Sequence, residues 1–119
     1  MFSSPHLVRV EERVRIDGRP ISSEEFDLSL SEIRLASEKE PEIEVTYFEK
    51  TMLVAMLAFR RAKIGRAIIE TGLGGRLDAT SCVQADLCAI TTISEDHMEV
   101  LGPTPVSYTH LTLPTSPKV

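Results

Sequence analysis

The chain has 119 residues, 42% of them apolar, and a net charge of −5, which allows one small domain with a modest core. The acidic balance leaves no basic stripe to displace phosphate counterions, which argues against nucleic acid as a general partner. No apolar run reaches the ~20 residues of a membrane span and no secretory signal opens the chain, so the composition points to a cytoplasmic setting.

In chain order, residues 7–16 alternate Val8, Val10, Val14 and Ile16 with charged residues, the period of a half-buried strand, and Asp17-Gly18 supplies a turn. Ser22-x-x-Glu25 is a capping box opening a helix that carries Phe26, Leu28, Leu30, Ile33 and Leu35. Residues 23–49 hold nine carboxylates against Arg34 and Lys39, which reads as a solvated acidic face. After Pro41, residues 42–45 form a short strand or an extended link. Thr46-x-x-Glu49 is a second capping box. It opens a helix through Ala62 whose residues 52–59 are apolar nearly all round, predicting burial. Residues 66–70 read as a strand, and residues 87–93 as another that ends at Ser94-Glu95-Asp96-His97. A helix between apolar strands is the pattern of a right-handed parallel crossover, hence an α/β fold.

Cys82 and Cys88 fit no zinc spacing, and Cys88 sits in an apolar run. Both are expected to be buried free thiols.

The chemistry concentrates where the first of these strands stops at Glu70 and the turn Gly72-Leu73-Gly74-Gly75 follows. In an open α/β sheet, ligands bind beyond the carboxyl ends of the strands. A carboxylate there is placed to hold a cation, and glycines let backbone approach a ligand closely. Arg76 and Asp78 add opposite charges, so the stretch reads as one wall of a polyanion and metal site. The spacing argues against a dinucleotide fingerprint, because Gly-x-Gly-Gly is followed here by polar residues and not by a helix. His97 would close the second strand at the same sheet edge, where a carboxylate and an imidazole can share a divalent cation.

The block Glu70-Thr-Gly-Leu-Gly-Gly-Arg-Leu-Asp-Ala-Thr-Ser81 closely resembles the folylpolyglutamate synthase/dihydrofolate synthase family of Mur-ligase-type amide ligases. That family carries Glu-Val-Gly-Leu-Gly-Gly-Arg-Leu-Asp-Ala-Thr-Asn, and this chain departs from it at Thr71 and Ser81. Phe2-Ser-Ser-Pro-His-Leu7 resembles the family's Tyr-Thr-Ser-Pro-His-Leu, Thr46-Tyr-Phe-Glu49 its Thr-x-Phe-Glu, and Asp96-His-Met-Glu-Val-Leu-Gly102 its histidine motif. The resemblance implies a three-layer, mostly parallel sheet from the family's central ATPase domain over residues 1–102. It also implies two Mg2+ ions, held by Ser4, Glu70 and His97, with Glu70 and His97 catalytic. His6 is not a ligand but shapes the loop after Ser-Pro, where Arg9, Glu11, Glu12 and Arg13 look like stabilising charges. Thr46, Phe48, Glu49, Leu77, Asp78 and Ala79 map onto the pteroate pocket. On the residues alone, a well-capped helix with core aromatics is the better reading of Thr46 to Glu49.

The activity implied is amide formation between a folate or dihydropteroate carboxylate and L-glutamate, with ATP as co-substrate and an acyl phosphate as intermediate. The implied parent is monomeric and its partners are small molecules. The alternatives are another Mur-type ligase or a non-catalytic folate- or metal-binding remnant. No Gly-x-x-x-x-Gly-Lys-Ser-like loop occurs here, so the chain reads as a slice of the domain with no turnover by itself. Residues 103–119, with four prolines and His110, look like translated adapter sequence and are expected to be a non-native or disordered tail.

Overall fold

A computed structural model describes residues 1–39, 42–75 and 77–91. Expectations for Pro41, Arg76, residues 92–102 (with His97 and the end of the second strand) and the tail 103–119 lie outside the described residues. The chain divides into two units, Met1–Glu70 and Thr71–Val119.

The first unit begins with Phe2, which pairs with two segments at once: antiparallel with Val14 and parallel with Ile69. Phe2 N–H donates to the Ile68 carbonyl at 2.8 Å, and its carbonyl accepts from Glu70 N–H at 3.0 Å. On its other side, Ser3 N–H reaches the Arg13 carbonyl and Arg15 N–H the Met1 carbonyl. The expected strand over residues 7–16 is not formed. A 3-10 turn occupies Val10–Arg13, and only β1 (Arg15–Ile16) pairs with β2 (Arg19–Pro20), antiparallel. The reason is Glu12, whose carboxylate collects the backbone N–H groups of Leu7, Val8 and Arg9 and so curls the chain. The β1–β2 turn is Asp17-Gly18 as expected, both residues at positive φ (50° and 79°), the backbone that a two-residue hairpin requires.

Helix α1 (Ser23–Ser37) starts where Ser22 accepts from Glu25 N–H at 3.2 Å. Its capping box is half made, because the Glu25 carboxylate turns to Arg61 and Ser29 instead. Phe26, Ser29 and Ile33 form the buried stripe, at helical spacing, while Leu28, Leu30 and Leu35 face outward. Residues 42–45 are an extended link, in which Ile43 N–H caps the Ser37 carbonyl.

Helix α2 (Tyr47–Arg61) packs against α1 and buries Thr51, Met52, Val54, Ala55, Ala58 and Phe59. Leu53 and Met56 remain exposed, so the burial is one-sided and the expectation of an enclosed helix is corrected. The helix–helix seam is closed by Arg61, whose guanidinium reaches Glu25 (2.6 Å), Ser29 (2.7 Å) and Glu32 (2.5 Å). α2 ends in a pair of reversed bonds, Ile64 N–H to the Phe59 carbonyl and Lys63 N–H to the Arg60 carbonyl, with Lys63 at φ 52°. The chain then runs extended to Glu70, paired only at Ile69 among the described residues.

In the second unit, bends at residues 72–75 lead to a 3-10 turn at Ala79–Cys82. Residues 87–91, the described part of the second expected strand, carry no strand pairing among the described residues. Cys82 is exposed and Cys88 half-buried, which corrects the expectation that both thiols are buried. No helix of the described residues is long and apolar enough to cross a membrane.

Candidate metal and substrate site

The parallel pairing of Phe2 with Ile69 sends both segments out of the same edge of the structure. Ser4 lies two residues beyond one bridge partner and Glu70 one residue beyond the other. They meet there: Ser4 N–H donates to Glu70 Oε2 at 2.9 Å, across 66 residues of sequence. That bond fixes one carboxylate oxygen and holds the Ser4 backbone beside an exposed acid. A carboxylate and a hydroxyl are hard oxygen donors of the kind that suit a small divalent cation, with waters completing the shell. Among the described residues, no three His, Cys, Asp or Glu side chains cluster closely enough to hold a metal ion. His97, the expected third ligand, lies outside the described residues.

The loop that carries Ser4 is pinned from behind. His6 Nδ1 accepts from Arg13 Nε at 2.9 Å, which makes His6 a loop-shaping residue, as expected. The backbone N–H donors of Leu7, Arg9 and Val8 hold the Glu12 carboxyl below the ordinary carboxylate range. Arg9 bridges Glu11 and Ser23 at 2.8 and 2.6 Å and ties the same loop to the start of α1. Beside it the Glu11 carboxyl is pulled down to about 2, first by the Arg9 guanidinium and then by the Ser23 hydroxyl.

At the start of α2 the capping box is complete. Thr46 Oγ1 accepts from Glu49 N–H at 3.3 Å, while Glu49 Oε2 takes the Thr46 N–H and hydroxyl, both at 2.7 Å. The Thr46 hydroxyl and N–H hold the Glu49 carboxyl below its ordinary range. Phe48 is half-buried and packs edge-on to Phe2, ring centroids 5.7 Å apart. The contacts of Thr46, Phe48 and Glu49 are therefore those of a capped helix with a core aromatic.

In the second unit Asp78 is 9% exposed and organises the glycine turn. Its Oδ2 accepts from Leu73 N–H at 2.9 Å, and its Oδ1 from Thr80 N–H and hydroxyl at 3.0 and 2.5 Å. Gly74 sits at φ 70°, which favours glycine. Leu77 points outward and Ala79 is half-buried. Asp78 thus acts inward, on its own turn. The short Asp-x-Thr spacing was the available signal for this, since such side chains cap turns two residues on.

No family model matches the chain. Among curated proteins, the dihydrofolate synthase/folylpolyglutamate synthase of Escherichia coli (strain K12) is 45% identical over 103 residues, covering 87% of this chain and 24% of that protein. The solved structure of E. coli FolC in complex with DHPP and ADP superposes with a TM-score of 0.85 at 44% identity, over 90% of this chain and 25% of that one. A bifunctional folylpolyglutamate synthase/dihydrofolate synthase structure with Mn, AMPPNP and L-glutamate bound gives 0.83 at 44% identity, over 92% and 26%. The chain belongs to the folylpolyglutamate synthase/dihydrofolate synthase family. It spans 24% of the length of the Escherichia coli relative and 13% of that of a longer relative from Haloferax volcanii. Its fold is the corresponding part of the folylpolyglutamate synthase/dihydrofolate synthase fold, a Mur-ligase-type ligase fold.

Proposed function

We propose that the chain contributes the metal-binding edge and part of the pteroate pocket of an ATP-dependent ligase that joins a folate or dihydropteroate carboxylate to L-glutamate. The observation that carries this reading is the meeting of Ser4 and Glu70 at the carboxyl ends of two parallel-paired segments. Ser4 and Glu70 would hold a divalent cation, Mg2+ in this reading, with His97 as the third ligand. Bound there, the cation would neutralise charge on the phosphoryl oxygens, a dominant contribution in phosphoryl transfer. Glu70 keeps its carboxylate oriented by accepting the Ser4 N–H. Thr46, Phe48, Glu49, Leu77, Asp78 and Ala79 would line the pteroate pocket. In that role Thr46 and Glu49 hold the first turn of α2 and Asp78 holds the glycine turn. The substrate carboxylate attacks the γ-phosphate of ATP to give an acyl phosphate and ADP. The glutamate amine then adds to the acyl carbon, and the tetrahedral intermediate expels phosphate and loses a proton.

The domain assignment belongs to the same reading: residues 1–102 as part of a three-layer, mostly parallel central ATPase domain, residues 103–119 as a tail outside it, in a cytoplasmic, monomeric parent. Relatives solved with ADP and DHPP, and with Mn, AMPPNP and L-glutamate, support the nucleotide, divalent-metal and substrate part of the reading. Calorimetric titration of the chain with MgCl2 tests the metal edge. Binding by the wild type that disappears in Glu70→Ala is expected. A wild type that takes up no heat-producing magnesium, or a Glu70→Ala variant that binds equally well, would sink the assignment.

A further inference from the structure

Arg13 and Asp78 are the most deeply buried charged side chains among the described residues, each 9% exposed. Asp78 is accounted for by its turn. Arg13 makes no ion pair among the described residues, and its contacts run in two directions. Its carbonyl accepts from Ser3 N–H at 2.9 Å and its Nε donates to His6 Nδ1 at 2.9 Å, so it grips the loop on both sides of Ser4. Its guanidinium carbon lies 5.3 Å from the centroid of the Tyr47 ring, the first residue of α2. One side chain therefore touches the loop bearing Ser4 and the helical turn bearing Thr46, Phe48 and Glu49.

We propose that Arg13 is a positioning residue that makes the Ser4 loop and the first turn of α2 a single unit, so that order imposed at either is felt at the other. The inference rests on the reading of these two places as metal and substrate subsites. The chemistry favours arginine over lysine: a planar guanidinium can donate in its plane to His6 while its face stacks on an aromatic ring. An ammonium has no planar face to stack and sits on a flexible stem, so it holds this two-way geometry less rigidly. Glu12 anchors the far end of the loop through three N–H groups, which leaves Arg13 as the polar link toward α2. The consequence is preorganisation, in which a ligand that fixes the Ser4 loop lowers the ordering cost for a ligand at α2.

Amide hydrogen exchange followed by NMR on the full chain supplies the test. The reporters are Ser4 N–H, held by Glu70, and Glu49 N–H, held by Thr46. Arg13→Lys is expected to speed exchange at both by about tenfold, the scale of a lost hydrogen bond to a charged group. Amides in the middle of α1, at Ser29 and Ile33, should keep their rates. Tyr47→Leu is the second variant, safe for folding because Tyr47 is exposed, and it decides alone if Arg13→Lys does not fold. It should speed exchange at Ser4. A uniform rise across the chain means a merely structural role and overturns the proposal, as does a change confined to the reporter beside the substituted residue. Repeating the wild-type measurement with MgCl2 separates the two readings. No slowing at Ser4 counts against the metal assignment alone, and the coupling still stands or falls on the two variants.

Discussion

Glu11 is where a single residue makes the chain sensitive to acid. Its folded carboxyl titrates at about 2, against an ordinary value of 4.5, because Arg9 and Ser23 both donate to it. Between those values the unfolded chain binds the extra proton, so the contribution is complete above about pH 4.5 and is lost as pH falls toward 2. Arg9 is well exposed, and solvent screening shrinks the effect. Melting curves from neutral pH down to about pH 2.5 should therefore drop less steeply for Glu11→Gln than for the wild type. Parallel slopes would show that the pair contributes nothing. The same bond network ties Ser23 at the start of α1 to the loop behind Ser4.

At the scale of elements, α2 ends at a residue poorly suited to its backbone. Lys63 occupies the left-handed position that follows the helix cap, where a Cβ costs about 1 kcal/mol or more and glycine is the usual occupant. Lys63→Gly should raise the stability of the chain by about 1 kcal/mol in urea unfolding, partly offset by the extra freedom of glycine in the unfolded state. A neutral or lower midpoint would mean that the lysine side chain contributes more than the strain removes. The start of the same helix was fully legible in the sequence, because Thr46 and Glu49 satisfy each other within one turn and need nothing distant. Ser22 was legible as a cap, but its box was not, since Arg61, 36 residues away from Glu25, claims that carboxylate. Strands were least legible. Alternation at residues 7–16 is a real pattern, yet Glu12 bonds to N–H groups that a ladder would have used. Phe2 pairs with residues 12 and 67 positions away, which no local period reports. The candidate site shares this fate: the meeting of Ser4 with Glu70 followed from the resemblance, and only the parallel bridge gives it a physical cause.

Across the whole molecule, the buried apolar side chains all fall between Phe2 and Phe59 among the described residues. The first unit therefore holds the core, and Phe2 is its largest fully buried side chain. Its position is unusual because the same residue supplies backbone pairing to Val14 and Ile69 and an aromatic edge to Phe48. Phe2→Ala keeps the backbone bonds but empties the space between the hairpin, α2 and the Ile69 segment. A large-to-small change at a buried aromatic costs about 3–5 kcal/mol, against a total of about 5–15 kcal/mol for a typical domain. The variant should have a cooperative urea midpoint far below that of the wild type. It should also lose protection at Ser4 N–H, because the segment that delivers Ser4 to Glu70 is anchored through Phe2. Phe2→Leu fills most of the volume and should recover most of the midpoint and the Ser4 protection together. If the midpoint recovers while Ser4 stays unprotected, the aromatic edge on Phe48 is what aligns the candidate site. If Phe2→Ala leaves both unchanged, the core does not depend on this residue and the placement of the site must be attributed to the helices alone.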